Sequence, residues 1–576
     1  MTFSRYVLLC LCSSFISESW ATDTADRRPV YDVTTPRIPI IQPRAAKLTI
    51  SPALDKKLTV GSAYPFNKEI TPEPMKLQGW RGERCSGQLA VSTEYKAAEL
   101  SLQCSTLVKD DAEINASARM IRYVEAGSTM TADIIGHETE CSHASGAHRA
   151  VWYEVNIPQD TPPGLYTGTV TVSAPNCEPA VQQIQLEVAD ATLPAPKEWK
   201  MHLDLWQHPQ SVARWHDVEP WSEAHFAIMR PLMKRLAEAG QKCITCTLLD
   251  EAWNGQTYDK FPSMIRWIRG KDGVMRYDYS ALDAWIQFMH DDIGIRGQIS
   301  CYSMLPWHLK VKYYDETTSK WDEIKAEPGT ESFKQVWAPF LRDFHRHMQE
   351  KGWADKTCIA IDERPDYMVR EAMRLVQENA PGFRIASAVD KPSELTREVY
   401  NISPVLTHAG SALGSLLSER KAAGKITTFY VCMHPLVPNT FTSSAPAEAE
   451  WLGFFAAANH LDGFLRWAYN SWTRNPLEST DFGSWTTGDC FLVYPGNRTS
   501  IRFERLRDGI EEYEKINLLR FRASESPEAA AIIDSMNMQL AAIFTVERST
   551  ARTHAQDLQT ARTIIAETMQ ALDALK

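Results

Sequence analysis

From about residue 200 onward, short apolar segments alternate with segments of helical spacing, and this alternation limits the possible folds more than any other feature. The predicted strands lie at 200–206, 242–249, 297–305, 356–361, 383–389, 402–408, 425–432 and 463–470. The predicted helices lie at 222–239, 280–293, 332–351, 366–379, 393–400, 415–423, 447–460 and 500–521. Eight strands alternating with eight helices predict a TIM-type (β/α)8 barrel over 199–522. An open doubly wound sheet remains the alternative, because short apolar strands are common to both folds.

Residues 46–198 show a different pattern, in which apolar residues recur at every second position. In LYTGTVTV, for example, Val170 and Val172 alternate with threonines. Strands of this kind, separated by Gly, Pro, Asn and Asp and with no helix between them, predict an antiparallel β-sandwich domain. The segment 193–199, LPAPKEW, is interpreted as a linker. At the other end of the chain, helical spacing at 527–543 and 551–575 predicts a C-terminal helical extension over 523–576.

The N-terminus begins MTFSRYVLLCLCSSFISESWATD, with one Arg, an apolar run, and small residues at Ser19 and Ala21. This pattern predicts a signal peptide over 1–21, followed by an extended lead-in over 22–45. We therefore expect an exported protein, periplasmic or secreted. No later apolar run is long enough to cross a bilayer, so no membrane span is expected.

The cysteines, the net charge and the absence of certain motifs restrict which bonds, partners and cofactors are expected. In an oxidising compartment Cys85, Cys104, Cys141 and Cys177 could form two disulfides of undetermined connectivity. The formal charge is −11 with no basic block, so a nucleic-acid partner is not expected. The sequence has no GxGxxG or Walker-type loop and no tight histidine spacing, so neither a cofactor nor a metal is expected. The oligomeric state is left open.

The strongest catalytic candidates are Asp362 and Glu363 in KTCIAIDERPDY, where an apolar strand ends just before Pro365 opens a helix. Reactive groups of barrel enzymes lie where the strands end. A helix N-terminal charge cluster is the structural alternative. The pair Asp250-Glu251 also follows a strand and is a rival. Two further Asp-Glu pairs, at 315–316 and 322–323, are interpreted as solvated loop charges.

Other strand ends offer aromatic, amide and imidazole groups, which together are typical of a sugar pocket. The candidate substrate-binding residues are Trp206, His208, Tyr302, Tyr430, His434, Trp467, Tyr469, Asn470, Trp472 and Asp489. Trp467 or Trp472 would stack on the sugar, Tyr469 would bond an amide carbonyl, and Asn470 a hydroxyl. Core packing is the alternative for these residues around the eighth strand.

Several longer motifs carry a family resemblance. The segments DGFLRWAYNSW (462–472), GDCFLVYPG (488–496) and RFERLRDGIEEYE (502–514) resemble the catalytic domain of glycoside hydrolase family 123, the β-N-acetylgalactosaminidases. VWYEVNIPQDTPPGLYTGTVTV (151–172) resembles the β-sandwich domain of that family. The resemblance spans about 46–522. It implies an enzyme acting on a glycan with a terminal β-linked N-acetylhexosamine, most specifically N-acetylgalactosamine.

The resemblance also implies a retaining, substrate-assisted mechanism, with an adjacent Asp and Glu that match Asp362 and Glu363. Glu363 would be the general acid and base, and Asp362 would orient the acetamido group and stabilise an oxazolinium intermediate. Two alternatives stay open. One is a glycosidase on another sugar, with Asp250, Glu251 or Asp489 as a carboxylate nucleophile. The other is a glycan-binding barrel without catalysis.

Overall fold

The computed structural model describes residues 46–53, 57–59, 73–93, 99–142 and 148–576. The predicted signal peptide and lead-in, 1–21 and 22–45, lie outside the described residues. The domain boundaries drawn from the sequence stay predictions, because residues from 45 onward form one compact unit.

Two seven-stranded sheets occupy the N-terminal region. The strands of the first are Ala46–Pro52, Arg84–Thr93, Ala116–Ala126, Thr129–Ile135, His148–Asn156, Cys177–Glu178 and Thr499–Ser500. The strands of the second are Met75–Arg81, Glu99–Cys104, Leu107–Lys109, Ala112–Ile114, Glu140–Ser142, Gly164–Ser173 and Ala180–Thr192. Neighbouring strands are antiparallel except at two pairs, one in each sheet. The sequence predicts antiparallel strands, and the two parallel pairs depart from that prediction.

The period-two pattern explains how the two sheets share a core. In Ala180–Thr192 the side chains of Ile184, Leu186 and Val188 point to one side and are buried. They belong to the same buried apolar cluster as Val151 and Tyr153 of the first sheet. Two sheets facing one core are what a β-sandwich requires.

Eight parallel strands form the second region, and they are His202–Leu205, Cys243–Thr247, Gln298–Tyr302, Thr357–Ile361, Arg384–Val389, Asn401–Pro404, Ile426–Tyr430 and Gly463–Arg466. Each strand from the second to the seventh pairs with the next one along the chain, and the eighth pairs with the first. Between the first and second strands, the Lys242 amide donates to the Leu203 carbonyl over 3.0 Å. The result is a nearly closed eight-stranded barrel, which excludes the open doubly wound sheet.

The α-helices of the described residues are Pro209–His216, Glu223–Glu238, Ser280–Gln287, Glu331–Glu350, Asp366–Asn379, Ser415–Ala422, Pro446–Ala458, Ile501–Phe521, Pro527–Ile543 and His554–Asp573. The helix predicted at 393–400 is wrong, because only a single 3-10 turn, Glu394–Arg397, forms there. The Ser393 side chain caps this turn by accepting from the Leu395 amide, and the sixth barrel strand begins at Asn401, four residues after the turn ends. The last two helices confirm the predicted C-terminal helical segments, and Phe544 stacks on Phe454 with ring centres 5.1 Å apart.

A separate four-stranded sheet is formed by Arg266–Arg269, Met275–Asp278, Lys310–Asp315 and Lys320–Lys325. Its presence corrects the assignment of Asp315, Asp322 and Glu323 to loops, whereas Glu316 lies in an exposed turn as expected. Asp315 ends one strand, is only 1% exposed, and bonds the Arg269 guanidinium. Tyr313 is buried while Lys312 is exposed, so these strands have one charged face. Their apolar alternation is therefore hard to detect in a segment rich in Lys and Thr.

All ten cysteines among the described residues are free thiols, so the two disulfides considered from the sequence do not form. Within the same residues, no helix combines the length and the apolar character that a bilayer span needs.

Candidate active site

Asp362 and Glu363 directly follow the fourth barrel strand, Thr357–Ile361, whose five residues are all buried. Pro365 precedes the helix Asp366–Asn379, so the chain turns between the strand and the helix. Both carboxyl groups therefore lie at the carboxyl ends of the parallel strands, the edge at which barrel enzymes place their chemistry.

The two acids are held by different partners. The indole Nε1 of Trp307 donates to Asp362 Oδ2 over 3.2 Å. The hydroxyl of Tyr430, at the end of the seventh strand, donates to Glu363 Oε1. The guanidinium of Arg364 lies 4.9 Å from the centre of the Trp307 ring. Each carboxylate is thus oriented by its own hydrogen-bond partner, Trp307 for Asp362 and Tyr430 for Glu363.

Burial is the main cause of a raised proton affinity in this pair. It raises the pKa of Asp362 to about 7, and the negative charge of Glu363 adds to the effect. Burial also raises the pKa of Glu363, although the Tyr430 hydrogen bond opposes this. Glu363 is an exposed residue and Asp362 is half-buried, so both acids can be reached from solvent. Because two adjacent carboxylates resist ionising together, the pair retains one proton close to neutral pH.

A stability measurement tests this electrostatic interpretation. Because the folded-state pKa of Asp362 lies above the ordinary 3.8, the protonated side chain stabilises the folded protein. This contribution to the free energy of unfolding is complete below pH 3.8 and is lost as the pH rises toward 7. The Asp362→Asn variant cannot ionise, so its melting temperature should exceed that of the wild type at pH 8. The difference should shrink toward pH 4. Thermal melts at both pH values measure it, and an offset that does not depend on pH would contradict the interpretation.

An aromatic cluster lies beside the pair. Trp206, after the first strand, has its ring centre 5.3 Å from that of Trp253 and 4.5 Å from that of Tyr302. Burial raises the pKa of Tyr302, and the charges of Asp204 and Asp362 raise it further, so the cluster lies within electrostatic reach of the pair. The indole nitrogens of Trp206 and Trp253 are buried and have no hydrogen-bond partner among the described residues. Both tryptophans are only 2% exposed, so the two N–H groups lie inside the protein rather than at its surface.

His208, Trp467 and Asp489 also come together. Burial lowers the pKa of His208 to about 4, so its ring is neutral near pH 7, and Nε2 lies 3.1 Å from the Trp467 carbonyl. The Trp467 indole donates to Asp489 Oδ2 over 3.2 Å. The other Asp489 oxygen accepts from Arg466 over 2.6 Å, and both residues of this ion pair are buried. Trp467 itself is only half-buried, as a stacking surface needs.

Three of the expected contacts are corrected by the geometry. The Tyr469 hydroxyl donates to the Leu232 carbonyl over 2.9 Å, and the Trp472 indole donates to the Val493 carbonyl over 2.7 Å. Asn470 bonds both the amide and the carbonyl of His208, each over 3.0 Å. All three side chains are buried and fully engaged, so core packing accounts for them. The eighth strand ends at Arg466, four residues earlier than expected, which explains why these residues leave the barrel mouth. His434 is exposed.

The rival acid Asp250 is already engaged. Its Oδ1 accepts from the Ser263 amide over 2.8 Å, and its Oδ2 pairs with Lys312 Nζ over 2.9 Å. Glu251 has a positive φ of 49° and lies in the turn that follows the second barrel strand, Cys243–Thr247. Asp250 is therefore committed to positioning neighbouring loops.

Sequence reasoning missed Trp307, Trp253 and Asp390. Asp390 directly follows the fifth strand, and its charge helps to raise the pKa of Glu363. The rule that found Asp362, an acid just after an apolar strand, also identifies Asp390. The two tryptophans lie in loops, where their direction depends on tertiary packing. Among the described residues, no three His, Cys, Asp or Glu side chains come together as a metal site.

The comparisons with known proteins agree with this geometry. The family model described as "Glycoside hydrolase 123, catalytic domain" matches residues 206–519, and the model of the family's N-terminal domain matches 125–174. Curated protein sequences give no match.

Among solved structures, a family 123 glycoside hydrolase from Clostridium perfringens, studied for glycolipid glycan hydrolysis, is 25% identical with a TM-score of 0.83. The alignment covers 92% of this chain and 99% of that one. A GH5 xyloglucanase from Bacteroides ovatus is 10% identical over 77% of this chain and 99% of its own, with a TM-score of 0.30.

The catalytic-domain match covers more than half of the chain and includes both acids, Asp362 and Glu363. The structural match extends over the N-terminal sheets and the barrel together. The chain is therefore a glycoside hydrolase and belongs to glycoside hydrolase family 123.

Proposed function

We propose that this enzyme removes terminal β-linked N-acetylgalactosamine, or a related N-acetylhexosamine, from glycans by retaining, substrate-assisted catalysis. The observation that carries the proposal is the adjacent pair Asp362 and Glu363, held separately by Trp307 and Tyr430 while sharing one proton near neutral pH. Such a pair supplies one acid and one orienting carboxylate. The similarity to an enzyme studied on glycolipid glycans supports a glycan of that class as the substrate.

In the first step the acetamido carbonyl oxygen of the substrate attacks its own anomeric carbon. The bond to the leaving oxygen breaks as that oxygen takes a proton from Glu363, and a cyclic oxazolinium forms. Asp362 accepts the acetamido N–H and offsets the positive charge. Accepting this hydrogen bond favours the ionised form of Asp362, so the shared proton moves to Glu363 when the substrate binds.

In the second step a water molecule attacks the anomeric carbon and passes a proton to Glu363. The bond between that carbon and the acetamido oxygen breaks, and the sugar leaves with its original configuration. Two successive inversions at the same carbon account for retention.

The aromatic cluster supports an acetamido-binding role. Trp206, Trp253 and Tyr302 form a buried, mostly apolar layer within electrostatic reach of Asp362, and two of them carry buried indole N–H groups without partners among the described residues. An apolar wall with a few polar groups suits a methyl group next to an amide. Trp467 would provide a stacking surface for the sugar ring.

The geometry disfavours the conventional nucleophile considered from the sequence. Asp250 is paired with Lys312, and Asp489 is buried against Arg466, so both carboxylates already have cationic partners. A non-catalytic glycan-binding barrel does not require a buried acid whose pKa is raised to about 7.

A substrate panel tests the proposal. Turnover of a chromogenic β-N-acetylgalactosaminide should exceed that of the matching plain β-galactoside by at least about 10³-fold, because only the former carries the nucleophile. Initial rates on both glycosides and on the gluco isomer, with NMR of the first-formed anomer, measure selectivity and retention together. Equal rates on the plain galactoside, or an inverted product, would refute the mechanism.

We also propose that the barrel is of the TIM type, that the N-terminal sheets form a β-sandwich domain, and that the mature enzyme is exported. The eight parallel strands, the shared core of the two sheets, and the sequence of residues 1–21 support these proposals.

A further inference from the structure

The four-stranded sheet described above borders the site. Its strand Lys310–Asp315 begins three residues after Trp307, which bonds Asp362. Lys312 of that strand pairs with Asp250, three residues after the end of the second barrel strand. Because neighbouring strands are about 4.8 Å apart, the ends of the second and fourth barrel strands are separated by about 10 Å. The sheet therefore lies within a few sugar units of the acids.

One face of this sheet packs on the barrel, and the other is open. Trp267 stacks on Phe340 of the helix Glu331–Glu350, with ring centres 4.6 Å apart, and both are buried. On the opposite face lie Arg266, Lys312, Tyr314 and Trp321, which we call the outer face. Trp321 is 52% exposed.

The outer face combines aromatic rings with cations. Tyr314 and Trp321 are direct cross-strand partners, with ring centres 5.6 Å apart. Lys312 Nζ lies 4.9 Å from the centre of the Trp321 ring. The Arg266 guanidinium lies 5.2 Å from the Tyr314 ring and 5.9 Å from the Trp321 ring. Exposed rings of this kind offer flat surfaces to the C–H face of a sugar.

Charge distinguishes this sheet from the rest of the chain. Its four strands contain seven Lys or Arg residues and four Asp or Glu residues, whereas the whole chain carries a net charge of −11. Among the described residues Arg266 forms no direct ion pair, and Asp278, its cross-strand partner, interacts with it electrostatically without a hydrogen bond, so the guanidinium N–H groups can bind a ligand. Five of the seven cations already pair with carboxylates, so the attraction of the outer face for an anionic group depends on Arg266.

Resting on the proposed function, we propose that the outer face binds an acidic sugar that follows the terminal N-acetylgalactosamine on the leaving-group side. An enzyme that removes a terminal sugar leaves only the leaving-group portion projecting from the cleft. Trp321 stacks on that portion, and Arg266 binds its carboxylate or sulfate group. The outer face thus determines which glycans are preferred, while the barrel determines which sugar is cut.

Two variants, Trp321→Ala and Arg266→Gln, test this inference against Lys320→Gln. Lys320 lies on the same sheet but on the opposite side of its strand, so it controls for the loss of a charge. The substrates are a chromogenic β-N-acetylgalactosaminide, a disaccharide whose second sugar is a hexuronic acid, and its neutral hexose counterpart. Calorimetric binding of both disaccharides to the Glu363→Gln protein provides a readout that needs no turnover.

Trp321→Ala should lower kcat/KM on the acidic disaccharide by about tenfold and change the chromogenic monosaccharide by less than about twofold. Arg266→Gln should cost about fivefold on the acidic disaccharide only, and 0.5 M salt should abolish that loss. The inference would be overturned if the test variants lost as much activity on the monosaccharide as on the acidic disaccharide, or if Lys320→Gln had the same effect as they do. Equal binding of the acidic and neutral disaccharides would also overturn it. Failure of the proposed function would appear separately, as no turnover of any acetamido glycoside.

Discussion

Replacing Glu363 with Gln is expected to lower kcat/KM on a glycan substrate by about 10²–10⁴-fold, because the leaving oxygen loses its proton donor. The loss should be much smaller on an activated aryl glycoside, whose leaving group departs without a proton. Steady-state rates on leaving groups of graded acidity measure this difference. Equal losses across the series would contradict the assignment of Glu363 as the general acid.

Asp362→Asn provides the matching comparison. Its carboxylate stabilises the oxazolinium whatever the leaving group, so its loss should be similar on poor and activated leaving groups. Glu371→Gln is the control variant, since Glu371 lies on the following helix and pairs with Arg374 at the surface. Its activity should match that of the wild type. A leaving-group dependence for Asp362→Asn like that of Glu363→Gln would show that the two roles are not separate.

The second large effect concerns the contact between the N-terminal sheets and the barrel. Arg502→Met should reduce the free energy of unfolding by about 3–5 kcal/mol, because it leaves the buried Asp133 without its principal charge partner. Arg502 Nε donates to Asp133 Oδ2 over 3.0 Å, and both side chains are buried. Arg502 also donates to three backbone carbonyls. Urea denaturation of the full-length enzyme measures the change.

Arg374→Met is the matched control, since Arg374 makes its ion pairs at the surface and should lose less than about 1 kcal/mol. Although burial opposes ionisation, the charges of Arg502 and Lys57 hold the pKa of Asp133 below its ordinary value. The stabilisation from this lowered pKa is present above pH 3.8 and is lost as the pH falls through the folded-state value. Similar losses in the two variants would show that the buried contact adds nothing to stability.

The sequence predicted the barrel well because its strands are buried on both faces and form continuous apolar runs, which periodicity detects. The acids at the end of Thr357–Ile361 followed from the same signal. The small sheet was missed because each of its strands has one charged face. In Lys320–Lys325 five of the six residues are exposed, a pattern that resembles a loop.

The residues after the eighth strand show the limit of reading a site from strand ends. Tyr469 and Trp472 follow the strand closely, but the strand ends at Arg466 and both side chains turn into the core. Trp307 lies in a loop and contacts Asp362 across 55 positions of sequence. Contacts of this kind depend on tertiary packing, which local sequence pattern does not encode.

The central claim, that the substrate supplies its own nucleophile, is tested most directly by varying the acyl group of the substrate. A series of aryl glycosides bearing N-acetyl, N-fluoroacetyl, N-difluoroacetyl and N-trifluoroacetyl groups progressively weakens the carbonyl oxygen as a nucleophile while changing its size little. Substrate-assisted catalysis predicts a steep, continuous fall in kcat/KM with each added fluorine. Rates that do not change along the series would contradict it and would require a nucleophile from the protein.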